Sequence, residues 1–192
     1  MKVPLCPLVL LLVVPSCILA GEDPPPPAAT LPDPSRADAS PRRTIEHGGE
    51  IFALASESRR GSIETAEYLP VGETLEQWTQ MVTVQRLTFV TRRTPEDFLQ
   101  SFRAHVCQDG ASLDVLKQGG NAAVFAVRLP ASESNDEQVV IGIVFAEASA
   151  PTLLNVVQYA MKPTRRPVPL VAAQLQAWRD AFVRQAIAAT GS

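Results

Sequence analysis

Two rhythms of apolar residues run along the chain after Glu50. Period two comes first: "EIFALASES" sets Ile51, Ala53 and Ala55 against Phe52 and Leu54, the alternation of a strand. "SIETAEYLPVGET" reads as a second extended piece that ends in a turn at Pro70 to Gly72. "MVTVQRLTFVT" reads as a third strand, rich in the β-branched residues that suit a pleated, half-buried surface. The period then lengthens in "TPEDFLQSFRAHVCQDG", where Phe98, Phe102 and Val106, with Leu99 beside them, fall on one helical stripe. Thr94 can act as N-cap, Pro95 sits where its missing donor costs nothing, and Glu96 and Asp97 complement the positive end of the helix dipole. Gly110 closes the element.

Three further strands follow, "ASLDVLKQ", "NAAVFAVRLP" and "EQVVIGIVFAEA", with Gly119-Gly120 marking a tight hairpin between the first two. Val139 to Phe145 is apolar on both sides, as in a strand covered on both faces. "TLLNVVQYAMK" adds one more strand, and from Val168 to about Ala189 the stripe of Val171, Leu175, Trp178, Phe182 and Ala186 predicts a helix. The order is strands, helix, four strands, helix. It predicts a single α+β domain at residues 45–192, a largely antiparallel sheet packed by two main helices.

The residues before this domain have another character. "MKVPLCPLVLLLVVPSCILA" places Lys2 ahead of a short apolar run and small residues, which reads as a signal peptide at 1–20 and not as a membrane span. Cleavage after Ala20 is one processing route. "VPSC" also resembles a bacterial lipoprotein box, in which Cys17 would be lipidated and become the mature N-terminus. Residues 21–44, "GEDPPPPAATLPDPSRADASPRRT", have too little apolar surface to offset chain entropy and read as a disordered, Pro-rich linker. The expectation is an exported, periplasmic protein without a transmembrane span, free or tethered through Cys17.

Composition removes several classes of function. The formal net charge is -3, and the arginines are scattered in pairs at 42–43, 59–60, 92–93 and 165–166, so no basic face for nucleic acid is expected. Cys6 and Cys17 lie in the signal region, leaving Cys107 as a single thiol that reads as a buried, inert group. His47 falls at the edge of the linker, and His105 and Cys107, two apart on one helix, point to different sides. Glu64 and Glu67 fall on opposite faces of an extended segment. Glu133, Asp136 and Glu137 share a polar loop without the spacing of a dedicated calcium site. Neither a metal nor a cofactor is expected.

The remaining candidate is "GETLEQWTQ". Thr74 and Gln77 match a capping box, predicting one helical turn from Leu75 before the chain straightens at Met81. Trp78 at that junction reads either as a lid on the end of the sheet or, with Tyr68 and Gln80, as the lip of a ligand-binding groove. "YLPVGETLEQWTQMVTVQ", the "TPEDF" helix and "LLNVVQYAM" together resemble uncharacterised exported proteins and lipoproteins of Gram-negative bacteria. The element order is similar to that of PsbP-like α/β domains. That resemblance implies binding or scaffolding and brings no catalytic residues. The expected function is therefore a non-catalytic envelope module contacting a protein or a small apolar ligand. The alternative is a hydrolase or transferase using Cys107 or His105, or carboxylates brought together by the fold.

Overall fold

The alternating stretches become eight strands in the computed structural model, which describes residues 43–47, 49–107, 110–132, 136–165, 177–178 and 180–181. They are β1 (Thr44–His47), β2 (Glu50–Arg60), β3 (Ile63–Pro70), β4 (Gln80–Thr88), β5 (Ser112–Gly119), β6 (Ala122–Leu129), β7 (Gln138–Glu147) and β8 (Ala150–Met161). One sheet contains them all in the order β1-β2-β3-β4-β8-β7-β6-β5, and each neighbouring pair is antiparallel. Two four-stranded meanders thus meet where β4 pairs with β8. The helix α1 (Pro95–Val106) carries the chain from the middle of the sheet to its far edge.

This architecture corrects the α+β expectation of a sheet packed by two main helices: among the described residues it is mostly a single eight-stranded antiparallel sheet, with the 12-residue α1 packed on it. Of the second expected helix, 177–178 and 180–181 are described and helical, and the rest lies outside the described residues. Residues 1–42, which hold the expected signal peptide, Cys17 and most of the expected linker, also lie outside them. A strand absent from the expectation, β1, pairs Ile45 with Phe52 and brings His47 into the sheet, where it had been placed at the edge of the linker. Four residues are too short a run for periodicity to register.

α1 forms where its capping signals place it. The Thr94 hydroxyl accepts from the Asp97 N–H at 3.1 Å, and the Asp97 carboxylate accepts from the Thr94 N–H at 3.0 Å. These bonds to Thr94 hold the exposed Asp97 carboxyl below its usual range. The buried stripe of Phe98, Leu99, Phe102 and Val106 packs on Ala123, Phe125, Val127, Val140 and Val144 from β6 and β7. This side is the helix face. On the opposite face, Phe52, Val82, Val124, Ile141, Ile143 and Tyr159 gather around Trp178, whose ring centroid is 4.7 Å from that of Tyr159.

An aromatic relay joins α1 to the sheet. Phe98 and Phe102 have ring centroids 5.7 Å apart, and Phe102 meets Phe125 edge-on at 5.5 Å. Phe125 in turn lies across its cross-strand partner Gly142, where an added Cβ would stand 2.3 Å from the ring's Cζ. The ring is fully buried. Gly142→Ala should therefore cost about 1–3 kcal/mol in denaturant unfolding, as overpacking does. Adding Phe125→Leu should recover part of that loss, and purely additive costs would show that the ring does not occupy the glycine's space.

Candidate functional site

The loop between β3 and β4 holds itself by backbone and carboxylate bonds. The Glu73 N–H donates to the Pro70 carbonyl at 3.0 Å, with Gly72 at φ +97°, a turn that only glycine enters readily. The Gln77 N–H then donates to the Thr74 carbonyl at 3.1 Å, and the two residues form a β-bridge. This replaces the helical turn expected from Leu75. The Glu73 carboxylate accepts from the Thr79 N–H at 2.7 Å and from the Thr79 hydroxyl, closing the loop across its base. A capping box needs helical backbone after it, and a short loop pinned at both ends does not supply that.

Trp78 is buried against Leu69 and Met81, residues of the helix face, and the Lys162 Nζ sits 4.2 Å from its ring centroid. Lys162 is itself nearly buried and faces Asp136 at 3.8 Å. Tyr68 and Gln80 are buried as well, but on the opposite face. Tyr68 packs with Phe52 and Val82, and Gln80 Nε2 donates to Glu50 Oε2 at 2.9 Å. The structure thus brings Tyr68 and Gln80 to one side of the sheet and turns Trp78 to the other.

A row of polar residues crosses the helix face, which periodicity had not marked. Ser56, Glu67, Thr83 and Gln158 are successive cross-strand partners on β2, β3, β4 and β8, and Gln85 lies two residues along β4. Glu67, Thr83, Gln85 and Gln158 are all buried. Apolar clusters flank the row, Leu69, Trp78 and Met81 at one end and Leu87, Leu154 and α1 at the other. Burial pushes the Glu67 carboxyl above its usual range, opposed by a hydrogen bond from Ser56. Gln85 Oε1 and Gln158 Nε2 have no hydrogen-bond partner.

The opposite face carries an open cleft of about 500 Å³ at the ends of β2, β3 and β4. That volume suits a small organic molecule. Ala66 and Val84, cross-strand partners and half-buried, form its floor. Arg59, Glu64, Arg86 and Asn155, successive partners across four strands, form one rim. Arg43 and Glu57 close another side as an ion pair. A bulge in β2 between Leu54 and Ser56 creates this arrangement, because the extra residue reverses the strand's alternation and turns Glu57 and Arg59 toward the cleft.

His105 and Cys107 lie elsewhere. Cys107 is the C-cap of α1 and is exposed, correcting the expectation of a buried thiol, and His105 on the last helical turn is exposed too. α1 packs on the helix face, so neither residue is on the face that holds the cleft. Asp136 and Glu137, from the loop weighed for calcium, make ion pairs with Lys162 and Arg128, while Glu133 lies outside the described residues. Among the described residues no group of three or more His, Cys, Asp and Glu could hold a metal ion.

What sequence reading missed was relational. "MVTVQ" does show Thr83 and Gln85 two apart, a polar pair on one face of an apolar strand, and that signal could have marked the buried row. The rim of Arg59, Glu64 and Arg86 depends on pairing between strands distant in sequence, which left no local trace.

Two outcomes follow. Trp78→Ala should cost about 3 kcal/mol or more in denaturant unfolding, as the loss of a buried large aromatic does. Because its raised carboxyl keeps a proton to higher pH in the folded state, Glu67 stabilises most below its ordinary value of 4.5, and that contribution is lost as pH rises through the raised value. Glu67→Gln should therefore flatten the decline in unfolding midpoint from about pH 4.5 to neutrality, and an unchanged slope would remove Glu67 as its source.

Among curated proteins none matches the sequence. Among the described residues no helix is long and apolar enough to cross a membrane. A family model matches residues 39–166, more than half of the chain and every strand of the sheet, and the chain belongs to that family, whose members are uncharacterised.

Proposed function

We propose that this chain is an exported, non-catalytic binding module whose ligand lies in the cleft over Ala66 and Val84. The observation that carries the reading is the cleft itself: an apolar floor within a charged rim, about 500 Å³ in volume, on the face of the sheet away from His105 and Cys107. Binding sites commonly combine such a floor with a few polar groups that fix orientation. The signal-like residues 1–20 and the Pro-rich stretch after them support export to the periplasm, with Cys17 as the lipid anchor where the lipoprotein route is used.

A second reading, a hydrolase or transferase using Cys107 or His105, draws on the exposure of that thiol. An exposed thiol reacts with a probe in either case, so labelling does not separate the two readings. Function in variants does. Native mass spectrometry of the protein purified from the cells that make it should show a retained small molecule. Ala66→Trp, which fills the floor, should abolish the adduct, while Cys107→Ala and His105→Ala should leave it in place. Loss of the adduct in the Cys107 or His105 variant with retention in Ala66→Trp would favour the enzyme. The same spectra report the N-terminus, a diacylglyceryl-modified Cys17 or a chain beginning at Gly21.

A further inference from the structure

The rim of the cleft is unevenly balanced. Three guanidinium groups, Arg43, Arg59 and Arg86, face two carboxylates, Glu57 and Glu64. Arg43 pairs with Glu57, and Arg59 pairs with Glu64 at 3.4 Å. Arg86, directly across from Glu64 on β4, has no ion-pair partner among the described residues and is exposed. An unpaired guanidinium presents two parallel N–H donors that match a carboxylate.

The rest of the cleft narrows the choice of anion. A dianion such as a phosphate monoester would meet one unpaired cation and the two carboxylates already held by Arg43 and Arg59, so a single negative charge fits this rim better. Next to Arg86, the floor is apolar. Ala66, Val84, Leu54 and Val157, all partly buried, lead from the rim to the buried cluster of Tyr68, Val82 and Tyr159. Along β4 the cleft runs from Arg86 to Val84, about 7 Å at the rise of an extended strand, room for a short alkyl tail.

Resting on the reading of the cleft as a ligand site, we infer that it takes a small apolar monocarboxylate, its carboxylate on Arg86 and its alkyl tail over Ala66 and Val84. The ligand forms no covalent bond. Arg86 sets its orientation and the floor supplies the apolar contact.

The test is titration of the full chain with octanoate and with octanamide, a neutral molecule of the same shape, followed by calorimetry and by NMR shifts of the Ala66 and Val84 methyl groups. Octanoate should bind the native chain at least tenfold tighter than octanamide. Arg86→Gln should weaken octanoate about tenfold, equivalent to about 1.4 kcal/mol, and leave octanamide unchanged. Arg86→Lys, which keeps the charge without the fork, should fall between. Arg86 is exposed, so these variants keep the fold, and a circular dichroism spectrum checks that they do. Equal binding of octanoate and octanamide, indifferent to Arg86, would overturn the anion inference while leaving the cleft as an apolar binding site. Failure of both to shift the Ala66 and Val84 methyl groups would overturn the inference together with the reading on which it rests.

Discussion

The register between β4 and β8 is the constraint on which the rest of this structure depends. It joins two meanders that are otherwise separate, running from Gln80 opposite Met161 to Thr88 opposite Leu153. Side chains alternate with period two, so a slip of one residue would exchange the faces of every strand on one side. The buried row from Ser56 to Gln158 and the rim from Arg59 to Asn155 both cross this seam, and both exist only in the observed register.

A sheet this wide has two faces to cover, and the two are covered differently. α1 lies over β5, β6 and β7 through the relay of Phe98, Phe102 and Phe125, with Gly142 making room for the last ring. On the opposite face Trp178 packs on Tyr159 within a mainly aliphatic cluster. The polar row on the helix face works against this packing, since each buried polar atom without a partner costs about 1–3 kcal/mol. The Trp78 loop, with Lys162 over the indole ring, closes one end of that row.

The separation of features bears on function. His105 and Cys107 project at the end of α1, whereas the cleft, with its arginines and carboxylates, occupies the other face. A ligand site needs shape, an apolar floor and a few oriented polar groups, and the cleft has these. The exposed thiol is no part of it.

Much of the fold was legible in the residues themselves. Alternation, β-branched and apolar runs and turn glycines marked β2 to β8, and the capping residues Thr94 and Pro95 with the Phe98 to Val106 stripe marked α1, because these are local patterns set by backbone geometry. The count of main helices was misjudged because an apolar stripe records amphipathicity and not an element's weight in the architecture. Local signals also failed at the Trp78 loop, where a capping motif yielded to a carboxylate contact with Thr79. The candidate sites were the least legible part. Tyr68, Trp78 and Gln80 are neighbours in sequence, yet the sheet divides them between its faces. By itself, the sequence determined the strands, the helix and its cap, since those follow from interactions within a few residues. Tertiary structure alone decided the β4–β8 seam, the bulge that turns Glu57 and Arg59, and the cleft they border, because each depends on which distant strands pair and in what register.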